Sequence, residues 1–93
     1  MRINNTSELA DKVRKNLESV IIARYIRGNT ALGCECIYVE SYGDTLTANI
    51  TFDEEEVSIY NNDGLYRWFT YKDEKSVTQL LMDITRALTF LGF

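Results

Sequence analysis

The chain contains no histidine. That removes the side chain most often used for acid–base work near neutral pH, and with it every Ser-His and Cys-His nucleophile arrangement. No G-x-x-x-x-G-K-[S/T] or G-x-G-x-x-G stretch occurs either, so no recognisable nucleotide-binding loop is present. Cysteine is scarce, with Cys34 and Cys36 the two in the chain. Two cysteines are no disulfide framework, and adjacent same-face strand positions are poorly placed to bridge, so both are expected as reduced thiols. As metal ligands they would need two more from carboxylates or from a second chain, and neither a metal nor a cofactor is expected. No apolar run approaches the roughly 18 residues of a membrane span. The opening Met1-Arg2-Ile3-Asn4-Asn5 lacks a signal peptide's apolar stretch. These absences lead to the expectation of a cytoplasmic chain that is not an enzyme and does not engage a membrane.

What is present is an ordinary globular composition, 45% hydrophobic and 12% aromatic, too apolar for a chain that stays disordered. Ninety-three residues support one core, so residues 1–93 are read as a single domain. Its charge is unevenly spread. Residues 1–27 hold six basic and three acidic side chains, whereas residues 28–71 set Arg67 against eight acids. Residues 72–93 hold three of each, which returns the net charge to -4. Affinity for nucleic acid comes largely from lysine and arginine displacing counterions, so the middle of this chain should repel phosphate and suit a basic protein. The cations Lys12, Arg14, Lys15, Arg24 and Arg27 are expected to be compensated by the acidic loops of the same fold, or by those of a second copy.

Hydrophobic periodicity supplies the architecture. Over residues 7–25, Leu9, Val13, Leu17, Val20 and Ile21 recur at helical spacing; Asn5 with Glu8 three residues on can cap the start, and Gly28-Asn29 can stop it. Ser76 with Gln79 reads as a capping box ahead of Val77, Leu80, Leu81, Ile84, Leu88 and Leu91, a second helix. Between them the period falls to 2. Leu46, Ala48, Ile50 and Phe52 alternate with Thr45, Thr47, Asn49 and Thr51, as a half-buried strand requires. A hairpin turn at Gly43-Asp44 would join that strand to residues 34–42, pairing Tyr42 with Thr45 and Val39 with Ala48. A tight acidic loop, Asp53 to Glu56, returns Val57 and Ile59 to the inner face, and Asn61-Asn62-Asp63-Gly64 makes the next turn.

The fourth strand, residues 65–71, has two readings that differ in turn length. A two- or four-residue turn places Tyr66 and Trp68 inside; a three-residue turn with Gly64 in a bulge places Leu65, Phe69 and Tyr71 there. The first is preferred because it leaves Arg67 outside. The expected fold is α+β, a four-stranded antiparallel meander with two helices on one face, in the order α-β-β-β-β-α. The uncovered face would show Cys36, Tyr38, Glu40, Tyr42, Ser58, Tyr60, Arg67, Phe69 and Tyr71 beside the threonine row. Tyrosine-rich faces of this kind are enriched at interfaces. An aromatic sheet can also stack single-stranded RNA, but no basic groove accompanies these rings, so no direct nucleic-acid binding is expected. Residues 53–56 lack the alternating ligands and central glycine of a calcium loop. The expected partner-binding residues are Glu40, Tyr42, Asp44, Asp53, Glu54, Glu55, Glu56, Tyr60, Asp63, Phe69 and Tyr71.

In size, in its Asp53-Glu54-Glu55-Glu56 cluster, in lacking histidine and catalytic motifs, and in its meander layout, the chain resembles the small phage-encoded inhibitors of the anti-CRISPR kind. That resemblance implies inhibition by occupying the DNA-binding surface of a host defence nuclease, with a basic nucleic-acid-binding enzyme as partner. Toxin-immunity proteins look much the same. A homodimeric structural or chaperone-like protein, using the exposed sheet face as its interface, is the alternative.

Overall fold

The computed structural model describes residues 1–43 and 46–93. The element order is α1 (Thr6–Val20), β1 (Ala23–Asn29), β2 (Glu35–Ser41), β3 (Thr47–Phe52), β4 (Glu56–Asn61), β5 (Gly64–Thr70), a short 3-10 turn (Tyr71–Asp73) and α2 (Val77–Phe90). The protein is α+β with an antiparallel sheet, as expected, but the sheet has five strands in sequential order rather than four.

The additional strand is β1, where the periodicity expected helix as far as residue 25. Leu17, Ile21 and Tyr25 are four residues apart, which fits a helix, yet Ile21, Ala23 and Tyr25 are two apart, which fits a strand. The β-branched run Val20-Ile21-Ile22 decides for the strand, because such side chains lose rotamer freedom on a helix and pack well on a pleated surface. The helix closes with the Ile21 N–H donating to Leu17 O at 2.8 Å, and Ile21 is already extended. Tyr25 still serves the helix, its hydroxyl donating to the carbonyls of Leu17 and Ile21 at 3.2 Å each. Gly28 and Asn29 therefore end a strand, not a helix.

Both helix starts follow the expected caps: Asn5 Oδ1 accepts from Glu8 N–H and Ser76 Oγ from Gln79 N–H, each at 3.1 Å. α2 ends in a left-handed Gly92, with Phe93 N–H returning to Leu88 O at 3.1 Å, the double-bonded close that satisfies carbonyls at a helix end. Leu9, Ala10, Val13 and Leu17 of α1 and Leu80, Ile84, Ala87 and Leu88 of α2 join Ile37, Val39, Ala48, Ile50, Phe52, Val57 and Ile59 in one core on the inner face of the sheet. Val39 pairs with Ala48, the expected register; Asp44, and with it the Gly43-Asp44 turn and the Tyr42–Thr45 pairing, lies outside the described residues.

The fourth turn combines parts of both readings and overturns the preferred one. Asn61 pairs with Gly64, a two-residue turn, but Ile59 pairs with Arg67 while Tyr60 pairs with Leu65, so Tyr66 is an extra residue in β5. This bulge exchanges the faces beyond it. Phe69, opposite Val57, packs partly buried against the core, and Tyr71 is 3% exposed, whereas Trp68 is 56% exposed on the outer face. Phe69 and Tyr71 therefore cannot belong to the uncovered surface on which they were expected. Tyr66 does pack against the core. Arg67 has the inward register but lies on an edge strand, where it reaches solvent with its guanidinium 5.6 Å from the Tyr66 ring centre, so no charge is buried.

Candidate functional site

The four consecutive acids connect β3 to β4, and Asp53 shapes that connection. Its carboxylate accepts from the backbone N–H groups of Glu55 and Glu56, each at 2.7 Å, so a side chain does the work of a backbone acceptor. The Asp53 N–H donates to Glu56 O at 3.0 Å. Tyr71 clamps the turn from the far edge of the sheet: its N–H donates to Glu55 O and its hydroxyl to Asp53 O, both at 3.0 Å. Burial, with the Asp53 charge beside it, pushes the Tyr71 phenol far above its ordinary range, so it stays a donor even at alkaline pH. Asp53 is thus committed to the turn, while Glu54 and Glu55 are exposed and Glu56 is half-buried.

Two clefts flank this turn. The first, of about 580 Å³, is lined by Thr6 at the start of α1, by Leu32, Gly33, Cys34 and Glu35, and by Phe52, Asp53, Glu54 and Glu55. Four of those residues are carboxylates and none is a cation. The second, of about 440 Å³, shares Glu54, Glu55 and Glu56 but adds Arg2 and Lys72 beside Met1, Ile3, Thr70 and Tyr71. The first is therefore the anionic one, and Leu32, 90% exposed, offers an apolar contact beside it.

Arg2 and Lys72 share the second cleft with the acidic turn, but the ion pairs of the described residues lie elsewhere. Lys12 pairs with Glu8, and Arg14 with Glu18 at 2.9 Å and with Asp11 at 3.9 Å, all within α1. Arg24 pairs with Glu40 at 3.7 Å across β1 and β2, and Arg86 with Asp83 at 4.0 Å within α2. Arg27 bridges Asp11 of α1 and Glu35 of β2, at 2.6 Å to the latter, which ties the helix to the sheet. Among the described residues, Asp53, Glu54, Glu55 and Glu56 make no ion pair. The compensation expected between helix 1 and the acidic loops is replaced by compensation along α1 and across β1 and β2, because i,i+3 and i,i+4 spacing and direct cross-strand pairing bring those charges together first.

The other expected site residues lie apart from this turn. Glu40 is taken up by Arg24. Tyr42 and Asp63 are exposed near the turns at the opposite end of the sheet, and the Asp63 N–H donates to Asn61 Oδ1 at 2.9 Å. Tyr60, 41% exposed, stands mid-face on the outer surface. Sequence reasoning missed Leu32 and Trp68 as exposed residues. Leu32 lies in an Ala-Leu-Gly loop where only its short, unpaired apolar character was a signal; Trp68 required the bulge to be known. Cys34 is half-buried in the cleft wall, Cys36 is buried, and both are free. Among the described residues no group of three or more His, Cys, Asp or Glu is arranged to hold a metal ion, and no described helix is long and apolar enough to cross a membrane.

No family model matches the chain, and no curated protein and no solved structure is significantly similar to it. What the fold and site define by themselves is a two-layer α+β protein with an anionic cleft at one end of its sheet, in which Glu35 is paired with Arg27 while Asp53, Glu54 and Glu55 form no ion pair.

Proposed function

We propose that the protein is a non-catalytic protein-binding module whose anionic cleft receives lysine or arginine side chains of a basic partner. The observation that carries this is the pairing pattern: Lys12, Arg14, Arg24, Arg27 and Arg86 are paired locally, while Asp53, Glu54, Glu55 and Glu56 form no ion pair among the described residues. A guanidinium entering the cleft would meet the exposed carboxylates of Glu54 and Glu55, with Leu32 to cover its methylene stem. In the fuller form of the proposal the partner is a nucleic-acid-binding enzyme, and the acidic turn occupies the basic surface that otherwise holds phosphate, as a phage inhibitor of a host defence nuclease would.

The test is a capture comparison. Tagged wild-type protein and the double variant Glu54→Gln/Glu55→Gln are used on nuclease-treated lysate of the host, and bound proteins are eluted with a salt gradient. The expected result is a basic nucleic-acid-binding protein retained by the wild type, released by moderate salt and lost with the variant, because exposed charge pairs are screened over about 8 to 10 Å at that ionic strength. Identical recovery by both proteins contradicts the proposal.

A further inference from the structure

The outer face of the sheet has no layer upon it, and its residues fall into rows set by strand register. The central row runs Ile26, Tyr38, Asn49, Tyr60 and Leu65 across all five strands. It reads the same from either edge: aliphatic, tyrosine, asparagine, tyrosine, aliphatic. The neighbouring row runs Gly28, Cys36, Thr51, Ser58 and Trp68. Here the two edges are opposites in size, glycine on β1 and tryptophan on β5, and the residues between them are small. Cys36 and Ser58 are 7% and 8% exposed although they belong to the uncovered face, so neighbouring side chains cover the two of them, while Gly28 and Trp68 at the ends of the row stay exposed. The third row begins with Arg24, 64% exposed, on β1, and ends at the β4–β5 turn that carries exposed Asp63.

We infer that this face binds a second copy of the chain, about a two-fold axis lying in the face along β3. Such an axis sets β1 over the second copy's β5 and β2 over its β4. Ile26 then meets Leu65, Tyr38 meets Tyr60, Asn49 meets its own equivalent, and Trp68 enters the space above Gly28, where no side chain stands. Arg24 is brought over Asp63 twice by symmetry, so opposite charges meet at both margins. Four properties of the face are thereby explained together: the palindromic central row, the glycine opposite a tryptophan, the exposure of that tryptophan, and the absence of a layer upon the sheet. The anionic cleft is lined by Thr6 of α1 and by inward-facing Phe52, so it opens on the helical side and stays accessible in the pair, which would carry two such clefts. Five strands about 4.8 Å apart and about 20 Å long present a face at the small end of stable interfaces, so the association belongs in the micromolar range rather than the nanomolar.

Sedimentation velocity over a concentration series up to about 100 µM measures this directly. The wild type is expected to move from monomer to dimer within the series. Gly28→Trp fills the recess, and its backbone tolerates a side chain, the nearest atom to an added Cβ being Cys36 Sγ at 3.9 Å. This variant and Trp68→Ser should each weaken association at least tenfold while far-ultraviolet circular dichroism stays unchanged. Asn49→Cys should cross-link to itself under copper–phenanthroline oxidation, where the wild type, with its own two cysteines, stays unlinked. A wild type that remains monomeric throughout overturns the inference and leaves the face to solvent or to a different partner. A dimer that survives Gly28→Trp, or that forms without the Asn49→Cys cross-link, overturns it as well. Each of these outcomes is independent of the Glu54→Gln/Glu55→Gln result.

Discussion

Among the described residues, Glu74 carries the carboxylate with the clearest shift. It is 7% exposed, just ahead of the Ser76 cap of α2, and its carboxyl is pushed up to about 7 from 4.5. Burial is the main cause; the hydrogen bond to Asp83 and the charges of Asp83 and Asp73 act in the same direction, and the amino group of Met1 opposes them. Asp83 itself accepts from Gln79 at 3.2 Å and faces Arg86. Because the folded state holds this proton more tightly than the unfolded state does, stability is complete below the unfolded value of 4.5 and falls as pH rises through about 7. Urea unfolding at pH 5 and pH 8 should therefore show a loss on the order of 1–2 kcal/mol at the higher pH. Glu74→Gln should remove most of that slope, and a slope unchanged by the substitution would contradict this origin. None of this was legible in the sequence, where Glu74 is one acid in a charged Lys-Asp-Glu-Lys stretch; its burial comes from tertiary packing alone.

At the scale of the elements, what the chain made legible were the features fixed by local chemistry. Asn5 and Ser76 cap their helices because their side chains reach an N–H three residues ahead, and the alternation of residues 46–52 requires one wet face. Two features escaped because each depends on competition between neighbours. β1 was hidden by the Leu17, Ile21, Tyr25 spacing, which satisfies both periods, and the facing of β5 by a single extra residue, Tyr66. The β5 register makes its own prediction. With Trp68 outside, Trp68→Ala should change monomer stability by no more than about 0.5 kcal/mol. With Phe69 against the core, Phe69→Ala should cost about 2 kcal/mol. The opposite register would reverse that order, so urea unfolding of the two variants, at a protein concentration where the chain is monomeric, decides between them.

On the scale of the whole molecule, the charge asymmetry was visible in the sequence, but its resolution was not. Counting gives an excess of cations before residue 28 and an excess of acids after it, which invites pairing between the two regions. The fold instead brings Asp11 and Glu35 to Arg27 and Glu40 to Arg24, so these two arginines are engaged at β1 and the acids of residues 53–56 form no ion pair among the described residues. The same fold divides the expected binding residues among three places: the acidic turn, the outer face with Tyr60, and the opposite end with Tyr42 and Asp63. Phe69 and Tyr71 go to the inside, where Tyr71 holds the acidic turn in shape rather than meeting a partner.

On the proposed function, this turn and its cleft bind basic side chains. The most direct test is a titration of isotope-labelled protein with a hexa-arginine peptide, followed by amide chemical shifts at low and at physiological salt. Shifts are expected to concentrate at residues 32–35 and 53–56, to weaken severalfold with added salt over a Debye length of about 8 to 10 Å, and to vanish in Glu54→Gln/Glu55→Gln. Shifts spread evenly over the acids of α1, β2 and α2, or undiminished in the double variant, would contradict it.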